Sequence, residues 1–195
     1  MLSPEFIMNH MLGSNSPDIS LPDHKHAPQG VVTKRARIRT YRKEDRHAVE
    51  KIIREAEDVL PLSQRLKHSV GSTIRYWLDH GFALASFYVL TVCSEIKGLA
   101  GVTPMEQTGF GEVCQLQPLY LHADMRGNGY GQQLLDHSIN RARETGYLKC
   151  YVEVSEKLSE AIKLIEAYGF YKMPSAPVNY QGTDHTIRYY MKYIF

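Results

Sequence analysis

Three glycines at alternate positions, Gly127, Gly129 and Gly131 in the stretch RGNGYGQQLL, stand immediately before a run with the apolar period of a helix. A glycine inside a helical turn costs about 1 kcal/mol relative to alanine, so a helix introduced this way is weakened where it begins. The backbone N–H groups at a helix start carry partial positive charge, and an anion placed there gains both their hydrogen bonds and the helix dipole. On that reading, a side chain at 129 or 131 would project into the space a pyrophosphate needs, and Arg126 adds a full charge at the rim. A flexible turn leading into a helix is the competing explanation, and the glycines alone do not separate the two.

Spacing narrows the choice. A dinucleotide fingerprint needs Gly-x-Gly-x-x-Gly, but counting from Gly127 its last position is Gln132, and counting from Gly129 it is Leu134. No Gly-Lys-Ser/Thr follows, so a Walker loop fails as well. What remains is Arg-x-x-Gly-x-Gly after a long strand.

The rest of the chain supplies the context. Residues 1–33 mix Pro4, Pro17, Pro22 and Pro28 with Ser, Asn and His and read as a flexible tail preceding a single domain over 34–195. The opening MLSPEF has the look of a cloning remnant, with Met8 and Met11 as other starts. His10, His24 and His26 are irregularly spaced in that tail and are read as solvated, and no metal site is expected.

ARIRTY reads as a strand, and Val49, Ile52, Ile53, Ala56 and Leu60 recur at helical spacing after it. STIRYWLDHG reads as a second helical piece, and ALASFYVLTVCSE pairs with IKGLAGVTPM through a turn near Glu95 to Lys97. VCQLQPLYLH is a third long strand leading to the glycines. Beyond them Leu134, Leu135, Ser138, Ile139 and Ala142 make one helical face that stops at Gly146. LKCYVEV is a strand, Leu158, Ala161, Ile162 and Ile165 the face of another helix closed by Gly169, and Phe170 to Met173 a minor strand. In HTIRYYMKYIF, Ile187, Tyr189, Met191 and Tyr193 alternate on one face of a last strand. Strands broken by single helices imply a mixed sheet covered on both faces.

Lys and Arg number 23 against 21 Asp and Glu, too even a balance for a nucleic-acid binder held by electrostatics. The longest apolar run, FALASFYVLTV, is too short for a bilayer, so no membrane partner is expected. Cys93, Cys114 and Cys150 each fall in an apolar strand-like stretch and read as reduced, buried thiols, which suits the cytoplasm.

The segment LQPLYLHADMRGNGYGQQLL resembles the core motif of the GNAT superfamily of N-acetyltransferases, with Arg126, Gly129 and Gly131 at its defining positions. YVEVSEKLSEAIKLIEAYGF resembles the family's fifth strand and following helix, ending in Gly169 and Phe170. The closing GTDHTIRYYMKY resembles the tail of small bacterial-type members. The resemblance implies an α+β fold, with a mostly antiparallel mixed sheet of six to seven strands and helices on both faces. It also implies acetyl-CoA as co-substrate, with a primary amine of a small molecule or of an amino terminus as acceptor. The fourth and fifth strands should splay, Leu119, Tyr120 and Leu121 should face the pantetheine arm, and the backbone of Gly127, Asn128, Gly129, Tyr130 and Gly131, with Gln132 at the edge, should meet the pyrophosphate. The side chains of Asn128 and Tyr130 carry no role on this reading. Leu121 N–H is the implied donor to the oxygen that becomes charged during acyl transfer.

The chain departs from the family where proton transfer is usual. Gln115 stands where relatives carry a glutamate base, and an amide cannot accept the proton. Ile165 stands where they carry a tyrosine acid. Glu153, opposite in parity to Val152 and Val154, is the first replacement base, His185 a residue to orient or relay through it, and Tyr168 a candidate acid; each also has a purely structural reading. Glu112 and His122 are further options with weaker geometry.

These departures leave a second function open, an acetyl-CoA-binding sensor or assembly protein that has lost efficient turnover. An oxidoreductase is disfavoured by the fingerprint spacing. The acceptor side should be built from roughly Pro61 to His80, where Arg75, Tyr76 and Trp77 suit an anionic or aromatic substrate or simply pack as an amphipathic helix. A homodimer through the Tyr-rich last strand is a further expectation.

Overall fold

The computed structural model describes residues 36–59, 74–76, 78–80, 85–105, 112–174, 178–179 and 186–195. The expected tail over 1–33, Trp77 and His185 lie outside the described residues.

Among the described residues eight strands form one sheet. They are β1 (Ala36–Thr40), β2 (Ser86–Val92), β3 (Glu95–Pro104), β4 (Val113–Leu121), β5 (Lys149–Ser155), β6 (Tyr171–Lys172), β7 (Val178–Asn179) and β8 (Thr186–Tyr193). The order is β1-β2-β3-β4-β5-β8-β6, with β7 also on β8. Every pair is antiparallel except β4 with β5. A parallel pair needs a long crossover, and helix α2 (Tyr130–Thr145) provides it between those two strands. Helix α1 (Arg46–Val59) follows β1, and α3 (Ser159–Ala167) follows β5. This is the α+β arrangement expected, with the two-residue β7 added.

Alternation along the strands divides the core between the two faces of the sheet. On one, Val49, Ile52 and Ile53 of α1 and Ile74 and Leu78 of the helical residues 74–76 and 78–80 pack on Phe87, Val89 and Leu99. On the other, Leu134 packs on Ile38, Leu90 and Ala100, while Leu135, Ile139 and Ala142 join Ile165 over Cys114, Cys150, Val152 and Val154. The face of α2 read from sequence periodicity, Leu134 to Ala142, is the face that is buried.

Two local expectations are corrected. The β2–β3 turn sits at Cys93 and Ser94, whose φ of 49° and 70° make it a left-handed tight turn of the kind that suits hairpin twist, two residues before the place expected. Cys93 is therefore exposed, whereas Cys114 and Cys150 are buried register neighbours, and burial raises the Cys150 thiol pKa well above its ordinary value. β8 is the strand that the period of HTIRYYMKYIF predicts, and besides Ile187 its buried side chain is Tyr190, on the opposite face. The reason is that α3 covers that face: Tyr190 donates its hydroxyl to Glu166 of α3 at 2.9 Å, while Tyr193 is exposed and stacks on Tyr171.

Candidate functional site

The site is built around a fork in the sheet. β4 and β5 pair only at Val113–Lys149, Cys114–Cys150 and Gln115–Tyr151; beyond Gln115 the two strands have no partners in each other. The fork coincides with a bulge. Leu116 pairs with Val102 but Leu119 pairs with Ala100, so β4 places Gln117 and Pro118 opposite the single residue Gly101. An extra residue in one strand bends it, and a proline, which has no N–H to donate, is tolerated at such a place. Across from the bulge the strands are tight: a Cβ on Gly101 would come within 2.4 Å of Phe87 Cδ1 and 2.6 Å of the Ser86 carbonyl oxygen.

The bulge also decides which backbone groups face the gap. His122 N–H donates to the Lys97 carbonyl at 2.8 Å, and in an antiparallel ladder bonded and non-bonded pairs alternate. Tyr120 therefore turns its N–H and C=O toward Leu99, while Leu119 and Leu121 turn theirs away from β3, into the fork. Of the three residues expected along the pantetheine arm, Leu119 and Leu121 have the backbone orientation required. Tyr120 does not, and its side chain lies on the α1 face with its hydroxyl 3.4 Å from Glu55 Oε2. The Leu121 carbonyl accepts from Arg126 Nε at 3.1 Å, which ties the end of β4 to the glycine loop and leaves Leu121 N–H directed into the gap.

The loop's glycines have two different physical causes. Gly127 and Gly129 lie outside the helix and take φ of 75° and 78°, the left-handed region that a side chain disfavours. A Cβ built at either would meet nothing within 4 Å, so both face open space. Gly131 is different: its Cβ would stand 3.2 Å from Leu164 Cδ2 of α3, so its size is set by helix packing and not by the space in front of the loop. The helix penalty first assigned to all three thus falls on Gly131 alone.

Asn128 and Tyr130 also have structural work. The Asn128 amide donates to the Arg126 carbonyl at 3.0 Å, bracing the turn, and Tyr130 packs against the cluster around Leu90 and Leu134.

Gly129 is the N-cap of α2 and supplies no side-chain cap. The N–H groups of Gly129, Tyr130, Gly131 and Gln132 donate to no acceptor among the described residues; the first turn contains no acidic residue, and Arg126 stands beside it. These are the four donors every helix start leaves over, and the helix begins at Gly129, which faces open space. The arrangement fits a diphosphate.

The proton-transfer candidates separate. Val152 and Val154 are buried under α2 and α3, so Glu153 lies on the opposite face of β5, two residues past the fork. It keeps solvent contact, yet surrounding protein displaces enough water to raise its carboxyl pKa above the ordinary value, a shift opposed by a hydrogen bond of 3.2 Å from the Tyr151 hydroxyl. Tyr168 is on the α3 side. Its hydroxyl donates to Asp136 of α2 at 2.7 Å, and desolvation, followed by that carboxylate, raises its pKa, so it ties two helices together on the face away from Glu153. Ile165 is fully buried core. The His122 ring is held by Asp124, Nδ1 to Oδ1 2.5 Å, and Glu112 stands where the strands are still closed, its carbonyl accepting from Leu148 and Lys149.

The arrangement agrees with what the chain is similar to. A model of the acetyltransferase (GNAT) family matches residues 48–170. The uncharacterised N-acetyltransferase YjgM of Escherichia coli (strain K12) is 28% identical over 149 residues, covering 74% of this chain and 84% of that protein. Among solved structures, YncA of Salmonella typhimurium, named as an acetyltransferase and determined with its cofactor acetyl-CoA, superposes with a TM-score of 0.71 at 19% identity, over 82% of this chain and 94% of the other. A ribosomal-protein-alanine N-acetyltransferase from Brucella melitensis gives 0.66 at 20% identity, over 80% and 98%. These two likenesses are of fold. The family match spans the fork, the glycine loop and both helices that pack beside it, and so the chain belongs to the acetyltransferase (GNAT) family, as an N-acetyltransferase that takes its acetyl group from acetyl-CoA.

Proposed function

We propose that the chain transfers an acetyl group to a primary amine of a small molecule or of a peptide amino terminus, with Glu153 as the general base. One observation carries the reading: four N–H groups at the start of α2, without an acceptor among the described residues, adjoin a fork into which the backbone of Leu119 and Leu121 opens. When bound, acetyl-CoA supplies a thioester carbonyl that an amine can attack.

The residues of this chain do the rest. The N–H groups of Gly129 to Gln132 and the charge of Arg126 hold the diphosphate. The backbone of Leu119 pairs with the amides of the arm, and Leu121 N–H is placed to donate to the carbonyl oxygen as charge grows on it. A carboxylate whose pKa is raised accepts a proton from an ammonium better than an ordinary one, and Glu153 opens to solvent on the side where the amine arrives. Because Ile165 cannot donate and Tyr168 faces Asp136, the leaving thiolate takes its proton from water, which its modest basicity allows.

The test is acceptor-dependent release of free CoA thiol, with mass detection of product, across a panel of amines and short peptides. Glu153→Gln should lower kcat about 10²-fold or more while the KM for acetyl-CoA stays near the parent value. Binding of acetyl-CoA without turnover on any acceptor would instead favour a sensor. Undiminished kcat in the Gln variant would move the base elsewhere.

A further inference from the structure

Glu153 is not alone on its face of the sheet. Tyr151 is the last residue of β5 paired with β4, opposite Gln115, so it occupies the crotch of the fork, and Glu153 is the next residue of the same face on the free arm. The Tyr151 hydroxyl donates to Glu153 Oε1 at 3.2 Å. Across the strands Glu153 is in register with Tyr189 of β8, and the Tyr151 and Tyr189 rings stack with centroids 6.0 Å apart and planes at 22°. The stack restrains the Tyr151 ring, and the ring brings its hydroxyl to the carboxylate.

We infer that Tyr151 is a positioning residue for acetyl transfer, its hydroxyl holding the Glu153 carboxylate at the mouth of the fork while the Tyr189 ring holds Tyr151. This rests on Glu153 as the base. A carboxylate on an open strand face has free χ angles, and a base that wanders is within reach of the amine for only part of the time. A donor fixed at the vertex selects one set of rotamers.

The same contact sets the proton affinity. Donation to the charged form favours it, so the hydroxyl opposes the desolvation that raises the carboxyl. On that face of β5 and β8 the titratable groups are Tyr151 and Tyr189 beside Glu153 and, four residues away at the closed end, Lys149 over the Tyr193 ring; Gln115 and Gln117, on the β4 side, carry no charge. Among the described residues no charged side chain contributes to its shift.

The experiment is carbon-detected titration of glutamate carboxyls in the full chain, with Glu153 assigned by its missing signal in Glu153→Gln. Tyr151→Phe keeps the stacked ring and removes only the hydroxyl. The Glu153 titration should move to higher pH in that variant. With the best acceptor of the panel, the acid limb of kcat/KM should move in the same direction, because the base is then protonated over a wider range. The KM for acetyl-CoA should not change, since the fork and loop are intact.

An unmoved Glu153 titration in folded Tyr151→Phe would overturn the inference. Full activity of Glu153→Gln would remove the base reading itself, and the two failures are told apart because the titration needs no turnover. A loss of rate in Tyr151→Phe with no shift in either titration or acid limb would reduce Tyr151 to packing and also overturn the inference.

Discussion

Replacing Gly129 by glutamate tests the phosphate cradle through two separable effects. Gly129 has φ 78° and ψ −3°, and a Cβ there meets nothing within 4 Å, so the folded state bears only the conformational cost of a left-handed non-glycine residue. That is about 1–2 kcal/mol. In a domain of this size each kcal/mol lowers Tm by roughly 2–4 °C, giving a fall of about 2–8 °C.

The binding effect is electrostatic. A carboxylate on a loop that faces open space would sit about 5 Å from a diphosphate charge, and Coulomb's law between an effective dielectric of about 80 and about 20 gives roughly 1–3 kcal/mol of repulsion. CoA affinity should therefore drop about 5- to 150-fold, and the loss should shrink as salt rises. Isothermal titration with CoA at two ionic strengths reads both. Gly129→Gln is the control, with equal size, the same backbone cost and no charge. If the Glu and Gln variants lose affinity equally, or if the folded Glu variant binds CoA like the parent, the loop does not hold the phosphates and the reasoning fails.

Gly101→Ala should destabilise by about 1–3 kcal/mol in chemical denaturation, because its Cβ would collide with Phe87 and with the Ser86 carbonyl; a neutral result would mean that the β2–β3 packing yields. Tyr168→Phe should cost about 1.5–3 kcal/mol through the lost bond to the Asp136 carboxylate, with turnover close to the parent. A large fall in kcat without a fall in Tm would restore Tyr168 as proton donor. Asp45 accepts from Arg39 at 2.6 and 2.7 Å and from Arg42 N–H at 2.8 Å, and the Arg39 guanidinium foremost holds its pKa below the ordinary value. With the folded pKa below the unfolded one, its contribution is complete above about pH 4–5 and disappears as pH falls through the folded value. Asp45→Asn should thus be less stable than the parent at pH 7 and converge with it in acid, and thermal melts against pH showing parallel curves would contradict that.

The element order, the α2 core face from Leu134 to Ala142, the stop at Gly146 and the opposite parity of Glu153 to Val152 and Val154 were legible in the linear chain. Each depends on residues a few positions apart, through helical period, strand alternation and the backbone freedom of glycine, and such terms act before any distant contact forms. The glycine loop was legible as a place but not as a cause, because only the approach of α3 to Gly131 separates a packing glycine from the two whose φ is positive.

What tertiary structure alone decided is how distant strands register. The bulge at Gln117 and Pro118 appears only when β4 is laid against β3, and it turns Leu119 and Leu121, but not Tyr120, toward the fork. Tyr168 reads as a free hydroxyl until Asp136, 32 residues away in the chain, is beside it. Cys93 reads as strand until the left-handed turn claims it, and Tyr190 becomes a core residue of β8 because α3 lies over that face. Tyr151 carried no local signal, since its value lies in being the last paired residue below Glu153 and in stacking on Tyr189. Local chemistry chose the elements; the free energy of packing one sheet against its helices chose which side chains share a site.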